Sequence, residues 1–539
     1  MANQYVDLET LKFLLYKVNN LQDVLDQERY AEYDQESVEM MLNSVKDFSD
    51  KELYPFFREM DEQPAHFKDG EIVVHPQVLK FMKAGGEMGL IASSFSYEHG
   101  GMQMPAMAAH ASAFIQDAAN NHLPGYIGLT VGSAELIAHF GSQELKDTYL
   151  PNMLSGKWGG TMCLTEPQAG SSLSDITTSA TPDGDTYKIH GQKIFISGGD
   201  YQGADNIVHL VLARIKGAPA GTKGISLFVV PKKKPTADGS LTSNDVTVVA
   251  DFEKMGQRGY CTTHLFFGDK ENCEGWLVGE ANKGLKYMFL MMNGARIGVG
   301  RGAAAIASAA YQASLNYANE RPQGRKLTST GKKDVNQEQT LIINHADVRR
   351  MLLLQKVITE GAQSLVLLTA KYHDLSIASA TAEEREKYRL LLEIMTPLVK
   401  TYPSEAGIVS VNNGVQVLGG YGFCSEYILQ QLELRQQVLQ SLMGFAMKGD
   451  YQRFLADATP FMEFFSTIVQ SWLWLNIGLE AQNALVMGNK DYSSEFYESK
   501  IHAMEFYFKY ELPKTLGLAE ILMDNEKALT IGTDKEVFI

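Results

Sequence analysis

The chain has 539 residues, enough for roughly three or four domain-sized units, and 45% of them are hydrophobic, ample for sizeable cores. Its formal net charge of -16 is spread along the sequence with no long basic block, which argues against nucleic acid as a partner. The cysteines Cys163, Cys261, Cys273 and Cys424 lie far apart and form no CxxC pair, so neither a disulfide framework nor a zinc site is expected, and a reducing, cytoplasmic location is.

The opening stretch "MANQYVDLETLKFLLYK" lacks the basic start, apolar run and small-residue cleavage site of a signal peptide, and its Leu and Phe spacing predicts an amphipathic helix. Helical spacing continues through "VEMMLNSVKDFSDKEL" and "ELIAHFGSQELKDTYLPNMLSG", which predicts a helical N-terminal domain over residues 1–158. Between 159 and 282 the pattern switches to β-branched and aromatic runs bounded by turn residues, among them "TYKIHGQKIFISGG", "NIVHLVLARI" and "GISLFVVPK". These predict a compact middle β domain, barrel-like in its many short strands. Helical spacing returns from 283, predicting a C-terminal helical bundle over 283–450 and an additional helical tail over 451–539. Helices, then sheet, then helices describe an α+β multidomain chain and exclude an alternating doubly wound sheet. In the tail, "FMEFFSTIVQSWLWLNIGL" is interrupted by Glu463, Gln470 and Asn476, so it reads as a buried helix. It lacks the roughly 20 uninterrupted apolar residues of a membrane span, and membrane association is not expected.

The chemistry gathers first at "TMCLTEPQAGSSLSD", Thr161 to Asp175. Its proline fixes the backbone and restricts Glu166, and Gly170 permits a bend. Thr165, Ser171 and Ser172 then present hydroxyls and amides at a sheet edge, which suits a flat ligand with acceptors at its rim. An ordinary β-turn has the same composition, so the stretch alone decides nothing. "GVGRG", Gly298 to Gly302, follows a helical run and no strand, so it lacks the setting of a dinucleotide fingerprint. The histidines form no close ligand set and predict no metal site.

The turn is followed in order by "YKIHGQKIFISGGD", "GISLFVVPK", "KMGQRGYCTTHLFF", "ARIGVG", "YANERPQGR" and "VQVLGGYGF". With this series the chain resembles the acyl-CoA dehydrogenase family, and its leading segment and long tail resemble the family's long branch. The resemblance implies FAD as cofactor, an acyl-CoA thioester as substrate, an electron-transfer flavoprotein as acceptor, a place in fatty acid metabolism and a homo-oligomer. Met162, Leu164 and Thr165 match the sheet edge against the flavin, and Ser171 matches a contact to flavin or thioester. Phe195 stands where the family carries tryptophan and Ser197 where it carries threonine, which keeps an aromatic edge and a small hydroxyl. Ser172 stands where the family carries aspartate. Arg321 matches an arginine that reaches the FAD diphosphate of a neighbouring subunit, with Gln416, Gly419 and Gly420 at the turn around that cofactor. A guanidinium fork and close-approaching glycines suit a diphosphate. Arg296 matches an arginine near the acyl-CoA nucleotide and is expected to be buried, needing an anion. The family's DNA-associated branch fits poorly with the acidic charge.

The family's desaturation takes an α-proton to a carboxylate while a hydride leaves the β-carbon for flavin N5. The usual base loop, Glu-Gly-Thr, is absent here. Counting forward from Gly420 places Met443 at the base position. Aligning on "SLMGFAMKGD" implies a deletion and places Glu433 there, and this register is favoured. The family's other base position holds Ala295. A non-catalytic subunit that binds flavin or acyl-CoA on the same scaffold is the alternative reading, and a solvent-facing helix carboxylate is the alternative for Glu433.

Overall fold

The structure is a computed structural model and describes residues 4–236, 238–325, 335–423 and 458–523. It divides into two compact units, Glu28–Gly298 and a second made of Met1–Gln27 with Val299–Ile539.

In the first unit, helices precede and follow a sheet, as the sequence pattern predicts. Helix α1 (Gln35–Phe48) opens on a capping box in which the Asp34 carboxylate accepts from the Ser37 amide and the Ser37 hydroxyl accepts from the Asp34 amide. Helices α2 (Ala106–Ala119), α3 (Pro124–Phe140) and α4 (Gln143–Leu154) come next. The main sheet has eight strands: β1 (Trp158–Cys163), β2 (Ser179–Asp183), β3 (Thr186–Ser197), β4 (Asn206–Ile215), β5 (Ile225–Pro231), β6 (Val246–Asp251), β7 (Thr262–Phe267) and β8 (Glu274–Leu277). Its order is β6-β7-β3-β8-β5-β4-β1, and β2 pairs with both β3 and β4, so the pairings β3-β8-β5-β4-β2 return to β3 in a barrel-like ring. The inward-facing side chains, Ile189, Ile196, Val211, Phe228, Leu265 and Phe267 among them, form one core.

Helix α3 is laid against β1 by polar contacts as well as packing. Thr130 Oγ1 accepts from the Gly160 amide (3.0 Å) and Ser133 Oγ donates to the Thr161 carbonyl (3.1 Å). A Cβ at Gly160 would stand 2.8 Å from the Ser133 Cβ, so only glycine permits this approach.

The long helix α5 comprises Gly284–Glu320. The second unit continues with α6 (Ala346–Ala378), α7 (Ala382–Leu418), α8 (Ala458–Val486), α9 (Ser494–Tyr510) and α10 (Lys514–Met523). Among the described residues α6 alone is long and apolar enough to cross a membrane, and 83% of its apolar stretch is buried inside the protein. The opening helix Leu8–Phe13 packs here, with Phe13 edge-on to Tyr492, Phe496 and Tyr497.

A buried ionic cluster joins the start, the middle and the tail of this unit. Lys500 of α9 donates to Thr10 Oγ1 (2.7 Å) and to Glu360 Oε1 (3.0 Å), and Lys356 donates to the same oxygen (2.7 Å). Lys500 and Glu360 are 1% and 4% exposed. Burial would raise the Glu360 carboxyl, but the two ammonium groups outweigh it and hold it below its usual range. Burial pulls Lys500 down to about 8.

Helix α8 departs from the expected buried helix. Trp474 is fully buried and its indole donates to the Val357 carbonyl, yet Trp472 and Leu475 on the outer side are 43% and 40% exposed. The helix is therefore buried on one side only.

The ionic cluster sets an order of stabilities. Glu360→Leu strands two ammonium groups in a dry site and is expected to cost about 3–5 kcal/mol. Lys500→Met leaves Glu360 paired with Lys356 and fills the space with an apolar chain, so it costs less. Urea unfolding of the two variants checks this, and equal losses would show that the pairing does not carry the cluster.

Candidate active site

Strand β1 delivers the chain into the turn at Thr165, and a buried ion pair sets the shape of that turn. Lys193 of β3 donates to Glu166 Oε1 (2.8 Å) and to the Leu164 carbonyl (2.9 Å), with both charged side chains fully buried. Glu166 Oε2 also accepts from the Thr177 amide (2.7 Å), the Thr177 hydroxyl (2.9 Å) and Gln168 Nε2 (2.8 Å), and Oε1 accepts from the Thr178 amide (3.1 Å). Burial would raise this carboxyl, yet Lys193 and the hydrogen bonds outweigh it and hold it at about 2. One carboxylate therefore gathers both ends of the turn, and the Ile194 amide donates to the Thr165 carbonyl (2.9 Å), tying the turn to β3.

The next residues of β3 are re-aimed by a bulge. Ile196 and Lys193 face Thr263 and Leu265, so Ile194 and Phe195 together stand opposite the single residue His264. Phe195 takes a left-handed conformation, φ +58°, and is 57% exposed, held only on one side by Phe252 at 4.5 Å between ring centroids. A large aromatic residue rarely adopts that backbone, and strain of this kind gathers at functional sites.

The structure brings Leu164 and Thr165 beside the strand that carries Phe195 and Ser197. Met162 and Thr165 are partly exposed, Leu164 is buried and Ser171 is exposed. The hydroxyls of Thr165, Ser171 and Ser197 make no hydrogen bond among the described residues, whereas Ser172 is engaged with Ser174 (2.9 Å). Behind β1, Thr161 Oγ1 lies 2.8 Å from His209 Nδ1, and burial pushes this histidine down to about 3, so it stays neutral.

In the second unit Arg321 comes directly after α5 and lies over the ring of Tyr421, 5.8 Å from its centroid. It is exposed and has no acidic partner among the described residues. The turn after α7 is made by Gly419, φ +61°, whose amide donates to the Gln416 carbonyl, and Gln416 and Gly420 are exposed. Arg321 and the glycine turn thus meet, through Tyr421. Arg296, expected to be buried, is partly exposed and donates to Asn293 Oδ1 (2.8 Å). It sits too near the helix surface for its neighbours to dehydrate it. Glu433 and Met443 lie outside the described residues.

Family profiles match most of the chain. "Acyl-CoA dehydrogenase, N-terminal domain" matches residues 35–157, "Acyl-CoA dehydrogenase, middle domain" residues 161–270, and "Acetyl-CoA dehydrogenase C-terminal like" residues 425–531. A 3-methylmercaptopropionyl-CoA dehydrogenase of Ruegeria pomeroyi is 36% identical over 417 residues, 77% of this chain and 69% of its own length. The chain belongs to the acyl-CoA dehydrogenase family. A butyryl-CoA dehydrogenase of Syntrophomonas wolfei is 40% identical over 392 residues, 70% of this chain but 63% of its own length. The fold is that of an acyl-CoA dehydrogenase of Bacillus anthracis solved in complex with FAD, with a TM-score of 0.69 at 20% identity over 98% of this chain and 93% of that one.

Two groups escaped the sequence reading. Lys193 was legible only as one more residue of "GQKIFIS", because its partner lies 27 positions away. Glu135 sits in the apolar stretch "GSAELIAHF" of α3, two residues after the serine bonded to β1, and burial raises it to about 7 with no ion-pair partner among the described residues. The signal for it was an acid where helix spacing calls for an apolar or small side chain.

Glu166 has its carboxyl depressed from 4.5 to about 2, so its stabilising contribution is complete above pH 4.5 and is lost as pH falls through that interval. The gap in unfolding free energy between wild type and Glu166→Gln should therefore be widest near neutral pH and narrow toward pH 2. Phe195→Gly relieves about 1–3 kcal/mol of backbone strain. It should leave the protein at least as stable in thermal melts, and a clear loss would show that the left-handed backbone at residue 195 is not strained.

Proposed function

We propose that the protein is an FAD-dependent acyl-CoA dehydrogenase that forms a 2,3-double bond in an acyl-CoA thioester. The observation that carries this reading is the exposed, strained Phe195 on β3, next to the residue that ties β3 to Thr165 of a turn locked by Glu166 and Lys193, with the hydroxyls of Thr165 and Ser171 on that turn and of Ser197 on β3 making no hydrogen bond among the described residues. An aromatic edge and hydrogen-bond donors left open in fixed positions fit a flat heteroaromatic ring. Flavin, when bound, supplies the hydride acceptor at N5.

In this reading Met162, Leu164 and Thr165 border the ring, Ser171 and Ser197 donate to acceptors at its rim, and Phe195 keeps water from its edge. Arg321 with Gln416, Gly419 and Gly420 holds the diphosphate across a subunit boundary, so the enzyme is a homo-oligomer. The open guanidinium of Arg321 supports that role. Arg296 meets the nucleotide of CoA, and Glu433 takes the α-proton. An electron-transfer flavoprotein accepts the electrons, the setting is fatty acid metabolism, and the compartment is the cytoplasm. The residue blocks 1–158, 159–282, 283–450 and 451–539 serve as N-terminal, β, bundle and tail domains.

Purified protein is expected to take up FAD, show flavin absorbance and bleach when mixed with acyl-CoA thioesters, with a panel from butyryl-CoA upward ranking chain length. Glu433→Gln should retain flavin and ligand binding and slow bleaching by about a hundredfold or more. Flavin uptake without bleaching by any thioester would instead mark a binding subunit. Undiminished bleaching in Glu433→Gln would move the base elsewhere, with Glu135 the next carboxyl to replace.

A further inference from the structure

The outer face of α8 carries Ile468, Trp472, Leu475 and Leu479, exposed by 40%, 43%, 40% and 50%, and farther on Val486, 77% exposed. Ile468, Trp472, Leu475 and Leu479, at steps of four, three and four, take successive d and a positions of a heptad repeat, and the next d position is the exposed Gln482. No ionised side chain interrupts the helix between Glu463 and Glu480. A surface helix ordinarily turns a polar face to water, so an apolar seam on this side, opposite a face already buried, is one that another surface covers. A depression of about 410 Å³ adjoins it, lined in part by Tyr372, Tyr388, Leu391 and Trp472. On the helix that supplies Tyr388 and Leu391, Leu390 and Ile394 are 47% and 50% exposed.

We propose that this seam docks a second copy of the chain, with the two α8 helices antiparallel about a two-fold axis. The proposal deepens the homo-oligomer reading above and rests on it. Antiparallel pairing centred between Leu473 and Trp474 brings Ile468 of one copy to Leu479 of the other and Trp472 to Leu475, so the stripe is its own complement, as an isologous interface requires. Parallel pairing would set the two Trp472 indoles against each other in one layer. Charge points the same way. Each chain carries -16, so two copies approach most easily through a face without charge. A lipid surface would call for a cluster of Lys or Arg beside the apolar face; α8 has neither, and of the two lysines that line the adjoining depression, Lys371 and Lys387, the first is paired with Asp23. The stripe from Ile468 to Leu479 is about 16 Å long, about one and a half heptads. The neighbouring depression, where Tyr372, Tyr388 and Trp472 stand beside Lys371, Lys387 and Asp23, offers a hollow in which an interface anchor can seat.

The test uses the full chain loaded with FAD. By light scattering after size exclusion, wild type should be an oligomer, and Leu475→Glu/Leu479→Glu should fall to half its mass with an unchanged circular dichroism spectrum. Independently, Ile468→Cys/Leu479→Cys should give a covalent dimer on mild oxidation while either single replacement gives none. The two positions lie about 16 Å apart along one helix, too far to bridge within a chain. A monomeric wild type overturns both the seam and the homo-oligomer reading. An oligomer that survives the glutamates and yields no cross-link overturns the seam and leaves that reading standing. A dimer from Ile468→Cys alone overturns the antiparallel arrangement. Pelleting of a monomeric wild type with phosphatidylcholine and phosphatidylglycerol vesicles, lost in the glutamate variant, would assign the face to lipid instead.

Discussion

The pairing of Lys193 with Glu166 is the constraint on which the candidate site depends. A carboxylate and an ammonium without solvent contact cannot be left single, because each alone would carry an uncompensated charge in a low-dielectric interior. That necessity decides geometry. To satisfy Lys193, the carbonyl of Leu164 and the carboxylate of Glu166 must both come to β3, and to satisfy Glu166, Thr177 and Thr178 must close the far side of the turn. Thr165, tied to β3 through its carbonyl, is then held in a fixed place without help from any ligand. Preorganisation of this kind lets a site meet a flat cofactor without first ordering a loop.

The bulge in β3 depends on the same pair. Lys193 points inward to its carboxylate, and regular alternation would turn residue 195 inward as well. The extra residue opposite His264 breaks the alternation immediately after Lys193, and Phe195 emerges into solvent at the cost of a left-handed backbone. Buried ions on one side and an exposed aromatic on the other are thus two consequences of one local arrangement. Both oppose stability in isolation, and both fit the proposed contact with a flat ring.

Much of the fold was legible in the sequence because it derives from period. Helical spacing in "VEMMLNSVKDFSDKEL" and β-branched runs such as "NIVHLVLARI" state which face is inside, and the structure agrees. The turn at Thr165 was legible from its Pro and Gly, and the family from seven motifs in order. Long-range partners were not. Nothing near Glu166 announces Lys193, and nothing near Glu360 announces Lys500, since each pairing spans sequence that carries no periodic signal of its own. The burial of α8 was half legible: its apolar content is evident, but composition cannot say how many of its sides find a partner within one chain.

The two buried ionic clusters show why charge rather than apolar content sets the detailed geometry of this protein. Apolar contacts in the sheet core tolerate volume-conserving exchange, because dispersion and burial are non-directional. An ammonium between Glu360 and Thr10, or between Glu166 and the Leu164 carbonyl, accepts one arrangement of neighbours only. Replacing such ions by hydrophobic residues is often neutral for stability, so their role here lies in choosing one packing among several. In the first unit that choice fixes a turn against a strand. In the second it pins the opening helix and the tail helix α9 to α6, which also braces α8, since α8 packs on α6 through the indole of Trp474. The outer stripe of α8 is therefore presented by a rigid support, and a surface held in one shape is one that a partner of fixed shape can match.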